Sequence, residues 1–205
     1  MARSCSTSVS NGSRSRTEVA RRLRSVLLDP AEVAGLDVHG RIDAAVLVPL
    51  YVADGALHAV FTKRREHLRR HPGEISFPGG RQDDDETDLR LTALREAQEE
   101  IGLPGRAVEL VGALQPTPTI ATNYAVYPFV GLIEPGHAWE PSAAEVAEVL
   151  EFPLAALRSG HARRRLLRRG VPFRTDAYVV GDHLIWGATA RMLGDLLERV
   201  PEDLL

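Results

Sequence analysis

Two β-rich runs, Ile42 to Val52 (IDAAVLVPLYV) and Ala56 to Arg64 (ALHAVFTKR), are separated only by Ala53-Asp54-Gly55. Asp-Gly is a strong short-range turn signal, so the two runs are expected to pair as an antiparallel hairpin. The rest of the chain has to be arranged around that ribbon.

A Gly/Pro-rich loop around Phe77-Pro78-Gly79-Gly80 follows the hairpin. Next comes a helical pattern over about Leu89 to Gly102, with Gly102 and Pro104 supplying its stop. Strands are expected at Val108–Leu114 and Ala125–Ile133, short helical or mixed pieces at Ala143–Leu150 and Pro153–Ser159, strands near Arg165–Leu167 and Tyr178–Ile185, and a last helix from Ala188 to Val200. Ahead of the hairpin, Val19, Leu23, Val26 and Leu27 recur on one face behind a Thr17 cap, which predicts a first helix to about Asp29. With no internal repeat, this order reads as an α+β chain, a mixed β-sheet with helices on its faces.

At 205 residues the length fits one domain, for which about 150 is typical. Residues 1–16 contain six serines, three arginines and no acid, with no helical or strand period, and are expected to be a disordered arm before a single domain at 17–205. They lack the apolar stripe of a transit peptide and the apolar core of a secretory signal. Lys and Arg number 25 against 28 Asp and Glu, so a formal charge of −3 argues against bulk nucleic acid or anionic lipid as the partner. Cys5 is the only cysteine, which excludes an intrachain disulfide and fits a reducing, cytoplasmic compartment. The longest apolar run, Ala44 to Ala53, is broken by Pro49 and falls short of the roughly 20 residues that span a bilayer, so no membrane association is expected.

The chemistry concentrates between Gly80 and Leu103: Gly80-Arg-Gln-Asp-Asp-Asp-Glu86, eight residues, then Arg95-Glu96-Ala-Gln-Glu99-Glu100-Ile-Gly-Leu103. At about 100° per residue, Leu91, Leu94, Ala97 and Ile101 share one side of a helix, and Glu96, Glu99 and Glu100 the opposite one. Three carboxylates from a single turn repel, which calls for a compensating cation, and oxygen-only ligands favour Mg²⁺ or Mn²⁺ over zinc. Arg95 is placed to pair with Glu99 or to reach back to Glu86. The paired glycines before the helix let backbone approach a ligand or offer a carbonyl. An isolated Glu-rich helix face is usually just solvated; the surrounding residues are what weigh against that here.

This stretch resembles the signature of the Nudix hydrolases, Gx5Ex7REUxEExGU with U aliphatic, departing from it by one extra residue between Glu86 and Arg95. The departure leaves Arg95 to Leu103 matched and lets Asp85 or Asp88 compete with Glu86 for its place. The resemblance implies a Nudix-type α/β/α sandwich and an enzyme that uses a divalent metal to direct water onto a diphosphate. It implies that Glu96, Glu99, Glu100, Glu86 and the Gly80 carbonyl surround Mg²⁺ or Mn²⁺, that Arg95 orients the box, and that the general base is Glu99 or a carboxylate outside the box, Glu145.

Just upstream, Thr62-Lys-Arg64-Arg65-Glu-His-Leu-Arg69-Arg-His-Pro-Gly73-Glu74-Ile-Ser-Phe77-Pro78-Gly79-Gly80 is similar to the segment before the box in the coenzyme A pyrophosphatase branch, TxRSxxLRxxxGExxFPGG. The extra residue before Arg95 is usual in that branch, whereas Arg65 stands where it has Ser or Ala. Glu145 to Leu154 and Ile185 to Leu193 agree as well. This narrower resemblance implies cleavage of coenzyme A or its derivatives to 3′,5′-ADP and 4′-phosphopantetheine, with Arg64 and Arg69 meeting the substrate. The same chemistry on another nucleoside diphosphate compound (a nucleoside triphosphate, a dinucleoside polyphosphate, NADH or a capped RNA) is the alternative. A non-catalytic nucleotide-binding module is disfavoured because the box carboxylates are all retained.

Arg163-Arg164-Arg165 with Arg168 and Arg169 forms a local cationic patch in a near-neutral chain, read first as a solvated helix or hairpin. His183 and Trp186 read as core or near-core residues of an apolar strand. A homodimer is compatible with these features, and none of them requires one.

Overall fold

The computed structural model describes residues 15–205 apart from 39, 41, 68–72, 120–122 and 169–170. The arm expected at residues 1–16, including Cys5, and the substrate candidate Arg69 therefore lie outside the described residues, save for residues 15 and 16.

The predicted hairpin forms as β1 (Ile42–Ala53) and β2 (Ala56–Arg64), with Asp54 at φ 51° and Gly55 at φ 80° in the connecting turn. Positive φ at both central residues matches the right-handed twist of the strands, as the Asp-Gly pair demands. Around this ribbon the described chain builds an eight-stranded sheet. Its main order is β3 (Ile75–Ser76), β2, β1, β7 (Tyr124–Leu132), β5 (Glu109–Ala113); β4 (Gly79–Arg81) also pairs with β1, β6 (Thr117–Pro118) with β7, and β8 (Val146–Pro153) with β2. β1 and β7 run parallel from Ile42↔Tyr124 to Leu50↔Leu132 and the other pairings are antiparallel, so the sheet is mixed.

Helices cover both faces. One face packs α1 (Arg16–Val26), α4 (Leu154–Ser159) and α5 (Gly187–Arg199) through residues such as Leu23, Phe61, Phe77, Leu154 and Leu193. The other packs α2 (Pro30–Ala34) and α3 (Leu89–Ile101) through Val33, Ala93, Ala97, Ile101 and Phe129. These layers make the α/β/α sandwich. A second, three-stranded antiparallel sheet, β9 (His161–Arg168), β10 (Val171–Val180) and β11 (His183–Trp186), adjoins the first, and His183 and Trp186 are half-buried in it.

Four local expectations differ from what forms. The first helix stops at Val26, Leu28 bridges to Ala113, and Asp29 caps the new helix α2 by accepting from the N–H groups of Ala31 and Glu32. Asp29 before Pro30 is a start signal rather than a stop. Ala143–Leu150 is not helical: residues 143–145 turn and β8 begins at Val146. Val146, Val149 and Leu150 fit a helical stripe, but the open edge of β2 pairs with this segment, buries Val146 and places Leu150 over one core and Val149 over the other. Tyr178–Ile185 is two strands joined by Gly181-Asp182 rather than one. Finally, α3 is rotated relative to its expected apolar stripe. Leu91 is 59% exposed while Leu89, Ala93, Ala97 and Ile101 are buried, and the rotation carries Glu100 inward to 6% exposure.

Candidate active site

The Gly79-Gly80 pair lies on β4, where Ala45↔Gly80 and Val46↔Gly79 pair and Leu47 N–H donates to the Pro78 carbonyl at 2.9 Å. Space decides both residues. A Cβ on Gly79, at φ 156°, would stand 2.3 Å from the Ala45 carbonyl oxygen, and one on Gly80 would stand 2.5 Å from the Glu96 carboxylate. The strand therefore presses directly against the carboxylate face of α3.

α3 is capped at its start by Asp88, whose side chain accepts from the Arg90 N–H at 2.9 Å, and at its end by Gly102, which takes a left-handed φ of 72°. Asp88 is thus a helix cap paired with Arg90, and Asp85 is exposed. Of the three acids weighed for the position before the helix, Glu86 faces the box. Its Oε1 accepts from Arg95 Nε at 2.8 Å, and its Oε2 from Thr92 Oγ1 at 2.7 Å and from the Asp83 N–H at 3.1 Å. These charge-assisted bonds, led by Arg95, hold the Glu86 carboxyl down at about 2.

Arg95 knits the site. From one guanidinium it donates to Glu86, to Glu96 Oε1 at 2.8 Å, to Glu99 Oε2 at 3.2 Å and to the Arg81 carbonyl at 3.2 Å. It realises both pairings open to it on the sequence, with Glu99 forward and Glu86 back. Among the described residues, no three His, Cys, Asp or Glu side chains already stand as a metal-holding group. The guanidinium offsets the charge of Glu86, Glu96 and Glu99 but is not paired with Glu100.

Each glutamate has a different environment. Glu99 is open, its side chain 60% exposed. Glu96 is half-buried, and desolvation, with Glu99 and Glu145 nearby, raises its carboxyl despite Arg95. Glu100 is buried beneath the helix, and burial lifts it to about 7 even though the Gly79 N–H donates to its Oε2 at 3.2 Å. Glu145 arrives from the turn before β8, anchored where the Arg65 N–H donates to its carbonyl at 3.0 Å, and its negative charge is felt by both Glu96 and Glu100.

Arg64 ends β2 between the two groups. Its Nη1 is 3.8 Å from Glu100 Oε1 and 3.7 Å from Glu145 Oε2, beyond hydrogen-bond distance, and its buried Nε has no hydrogen-bond partner. Of the residues singled out on the sequence, the structure brings together Glu86, Arg95, Glu96, Glu99, Glu100, Gly80, Arg64 and Glu145. Sequence reasoning missed Thr92, which fixes Glu86, and a strap in which the Glu140 and Ser142 N–H groups donate to the Ile101 and Glu100 carbonyls. A Thr six residues after the acid was the signal for the first. The strap bonds through backbone and leaves no mark in side-chain type.

The NUDIX domain model matches residues 41–170, well over half of the chain. The chain belongs to the Nudix hydrolase family. It is 40% identical over 162 residues to an uncharacterized Nudix hydrolase, NudL, of Enterobacter sp. strain 638, covering 78% of this chain and 83% of that one. A protein of the same name from Salmonella paratyphi B is 41% identical over 155 residues, covering 75% and 80%. Among solved structures, a MutT/nudix family protein from Enterococcus faecalis superposes with a TM-score of 0.50 at 15% identity, covering 91% of this chain and 73% of that one, a likeness of fold alone. As a Nudix hydrolase the chain is an enzyme of the diphosphatase type acting on nucleoside diphosphate-linked compounds, in a family that generally requires a divalent metal. No helix among the described residues is long and apolar enough to cross a membrane.

Proposed function

We propose that this Nudix hydrolase cleaves the diphosphate of a nucleoside diphosphate-linked small molecule with Mg²⁺ or Mn²⁺, and that coenzyme A and its acyl derivatives are the first members of that class to test. The observation that carries the reading is the clustering of Glu96, Glu99 and Glu100 of α3 with Glu145 from the turn before β8, beside a Gly80 that touches Glu96, where the buried carboxylate of Glu100 has no full counter-charge.

The donor set fits a hard divalent cation: every side-chain ligand candidate is a carboxylate, and the close Gly80–Glu96 approach sets a backbone carbonyl strand beside them. Glu96, Glu99, Glu100 and the Gly80 carbonyl would hold the metal. When bound, it would supply charge neutralisation of the diphosphate and acidify a water. Glu86 serves the same set through Arg95, keeping the guanidinium aimed at Glu96 and Glu99. Glu99 and Glu145 are the exposed carboxylates, at 60% and 51%, and so the two candidates to accept the proton of the attacking water.

Arg64 supports an anionic substrate. Its Nη1 lies 3.8 Å from Glu100 and 3.7 Å from Glu145, beyond hydrogen-bond distance of either, so the guanidinium keeps donors for phosphate oxygens at the site. The coenzyme A reading rests on the likeness of the Thr62–Gly80 segment to that branch, in which Arg64 and Arg69 are both matched.

Mass-spectrometric product analysis tests it, using the protein and Glu99→Gln with coenzyme A, acetyl coenzyme A, NADH, ADP-ribose and a dinucleoside polyphosphate, each with Mg²⁺ and with Mn²⁺. Release of 3′,5′-ADP by the wild type and not by the variant supports the full reading. Turnover of another substrate alone keeps the diphosphatase and removes coenzyme A. No turnover of any of them overturns the proposal.

A further inference from the structure

The cationic patch at Arg163–Arg165 is not used by the site described above. The structure places it on β9, the edge strand of the three-stranded sheet, in a hairpin with β10. The NUDIX match ends at residue 170, before β10, so β10, β11 and α5 lie beyond it.

Among the described residues most surface arginines are neutralised locally, as Arg21 is by Glu18, Arg22 by Asp203, Arg24 by Glu109 and Arg81 by Asp84. The arm behaves differently. Arg163, Arg164, Arg165 and Arg174 are exposed, and none forms an ion pair among the described residues. Asp176 stands opposite Arg163 in the ladder, yet its Oδ1 lies 3.3 Å from His161 Nε2 and makes no ion pair with Arg163. Arg165 and Arg174 are direct cross-strand partners, so two like charges face each other with no carboxylate between them. Such a pair destabilises a sheet, and a bound anion would relieve it.

The same register sorts the side chains by face. Arg163, Arg165 and Arg174 share one face; Arg164 lies on the other, with Phe173 and, one strand further, Trp186. The Phe173 and Trp186 rings are half-buried, 5.9 Å apart and inclined at 48°. Arg163, Arg165 and Arg174 form a row on one face that phosphates can follow, and because β9 is an edge strand a flexible single strand can pass round it to bring a base to the rings on the other face. Leu167, exposed on the same face as these arginines, makes an anionic lipid surface the competing occupant. Pairing of two β9 edges from two copies would bring arginine rows together, which disfavours a second copy as the occupant.

We propose that the β9–β10 arm is a binding surface for single-stranded nucleic acid, in which Arg163, Arg165 and Arg174 hold the phosphate backbone and Arg164, Phe173 and Trp186 receive a base. The surface does not depend on the diphosphatase reading, since it shares no residue with the box.

Fluorescence anisotropy of the full chain with a labelled oligouridylate of about twelve nucleotides, over a range of salt, tests it. Arg163→Ala/Arg164→Ala/Arg165→Ala should weaken binding at least about tenfold and flatten the slope of log K against log salt by about 1.4, near 0.7 for each of the two phosphates that Arg163 and Arg165 no longer neutralise. Arg174→Ser, on the neighbouring strand, should flatten it by about 0.7, and the corresponding triple Lys variant should keep the wild-type slope. Binding that the triple Ala variant and Arg174→Ser leave unchanged would overturn the proposal. So would the absence of salt-dependent binding by the wild type, and so would tighter co-sedimentation with phosphatidylserine vesicles than binding to the oligonucleotide, which would assign the arm to a membrane surface.

Discussion

The carboxylate of Glu96 occupies the space beside Gly80 so closely that a Cβ there would meet its Cδ and both oxygens at 2.5–2.6 Å. Glycine at 80 is thus a condition on where Glu96 points. Gly80→Ala should push that carboxylate aside while the fold survives, because the neighbour that must move is the end of a side chain. Turnover is expected to fall at least about tenfold, as displacement of a catalytic group by about 1 Å can cost far more. Gly79→Ala should behave otherwise: its Cβ would meet the Ala45 carbonyl oxygen and the Val46 Cα, backbone that cannot give way, at a φ of 156°. Thermal unfolding and steady-state rates of the two variants check this; equal loss of stability in both would contradict it.

Glu86 should make this protein acid-sensitive. Its carboxyl sits at about 2 in the folded chain against 4.5 when free, held down first by Arg95. The folded value is depressed, so the contribution is fully present above 4.5 and is lost as pH falls toward 2. Discounted for partial exposure, it amounts to about 1–2 kcal/mol. Denaturant unfolding of Glu86→Gln should show that deficit at about pH 7 and a narrowing gap between about pH 5 and pH 2. A pH-independent gap would locate the effect elsewhere.

Glu100 has the opposite sign. Burial raises its carboxyl from 4.5 to about 7, so the folded chain binds that proton more tightly than the unfolded one. Its contribution to stability is present below 4.5 and is lost as pH rises through about 7, where the buried charge becomes a burden. Glu100→Gln keeps an acceptor for the Gly79 N–H and removes the charge. In EDTA at about pH 8 the variant should be more stable than wild type by about 1–3 kcal/mol, the difference disappearing near about pH 4. Added Mg²⁺ should stabilise the wild type and not the variant, and turnover of the variant should be lost. Differential scanning at the two pH values decides; a variant that melts below wild type at the higher pH in EDTA would show that the charge is already compensated.

The hairpin at Asp54-Gly55, the strands that became β5 and β7 and the helix from Leu89 were legible because each is fixed by local chemistry: a turn dipeptide, apolar β-rich runs, a cap and a glycine stop. The box residues were legible as a set for the same reason, through fixed spacing on one helix. Their individual states were not. A helical wheel places Glu96, Glu99 and Glu100 together, but only the seating of α3 on the sheet decides that Glu100 is buried and Glu99 open. The β8 strand was misread because Val146, Val149 and Leu150 satisfy a helical period, and the partner that overrides it, the edge of β2, is about 85 residues away in the chain. Arg64 could be chosen from its segment, whereas its position between Glu100 and Glu145 is a product of that same β2–β8 pairing.

Gly102 connects the stability of α3 to the placement of Glu145. It ends the helix at φ 72°, and a Cβ there would stand 2.7 Å from the Glu140 Cβ. Glu140 belongs to the strap whose N–H groups at 140 and 142 donate to the Ile101 and Glu100 carbonyls, and Glu145 follows Ser142, to whose carbonyl its own N–H donates at 3.1 Å. Gly102→Ala therefore carries two costs. The left-handed conformation costs about 1–2 kcal/mol for a residue with a Cβ. The clash with Glu140 lifts the strap and moves Glu145 relative to Arg64 and Glu100. Gly102→Asn tolerates the left-handed backbone better but still carries a Cβ, so it should recover part of the stability and little of the activity. Thermal unfolding and rates measured on the pair separate the two: activity that returns in proportion to stability would mean that the strap does not position Glu145.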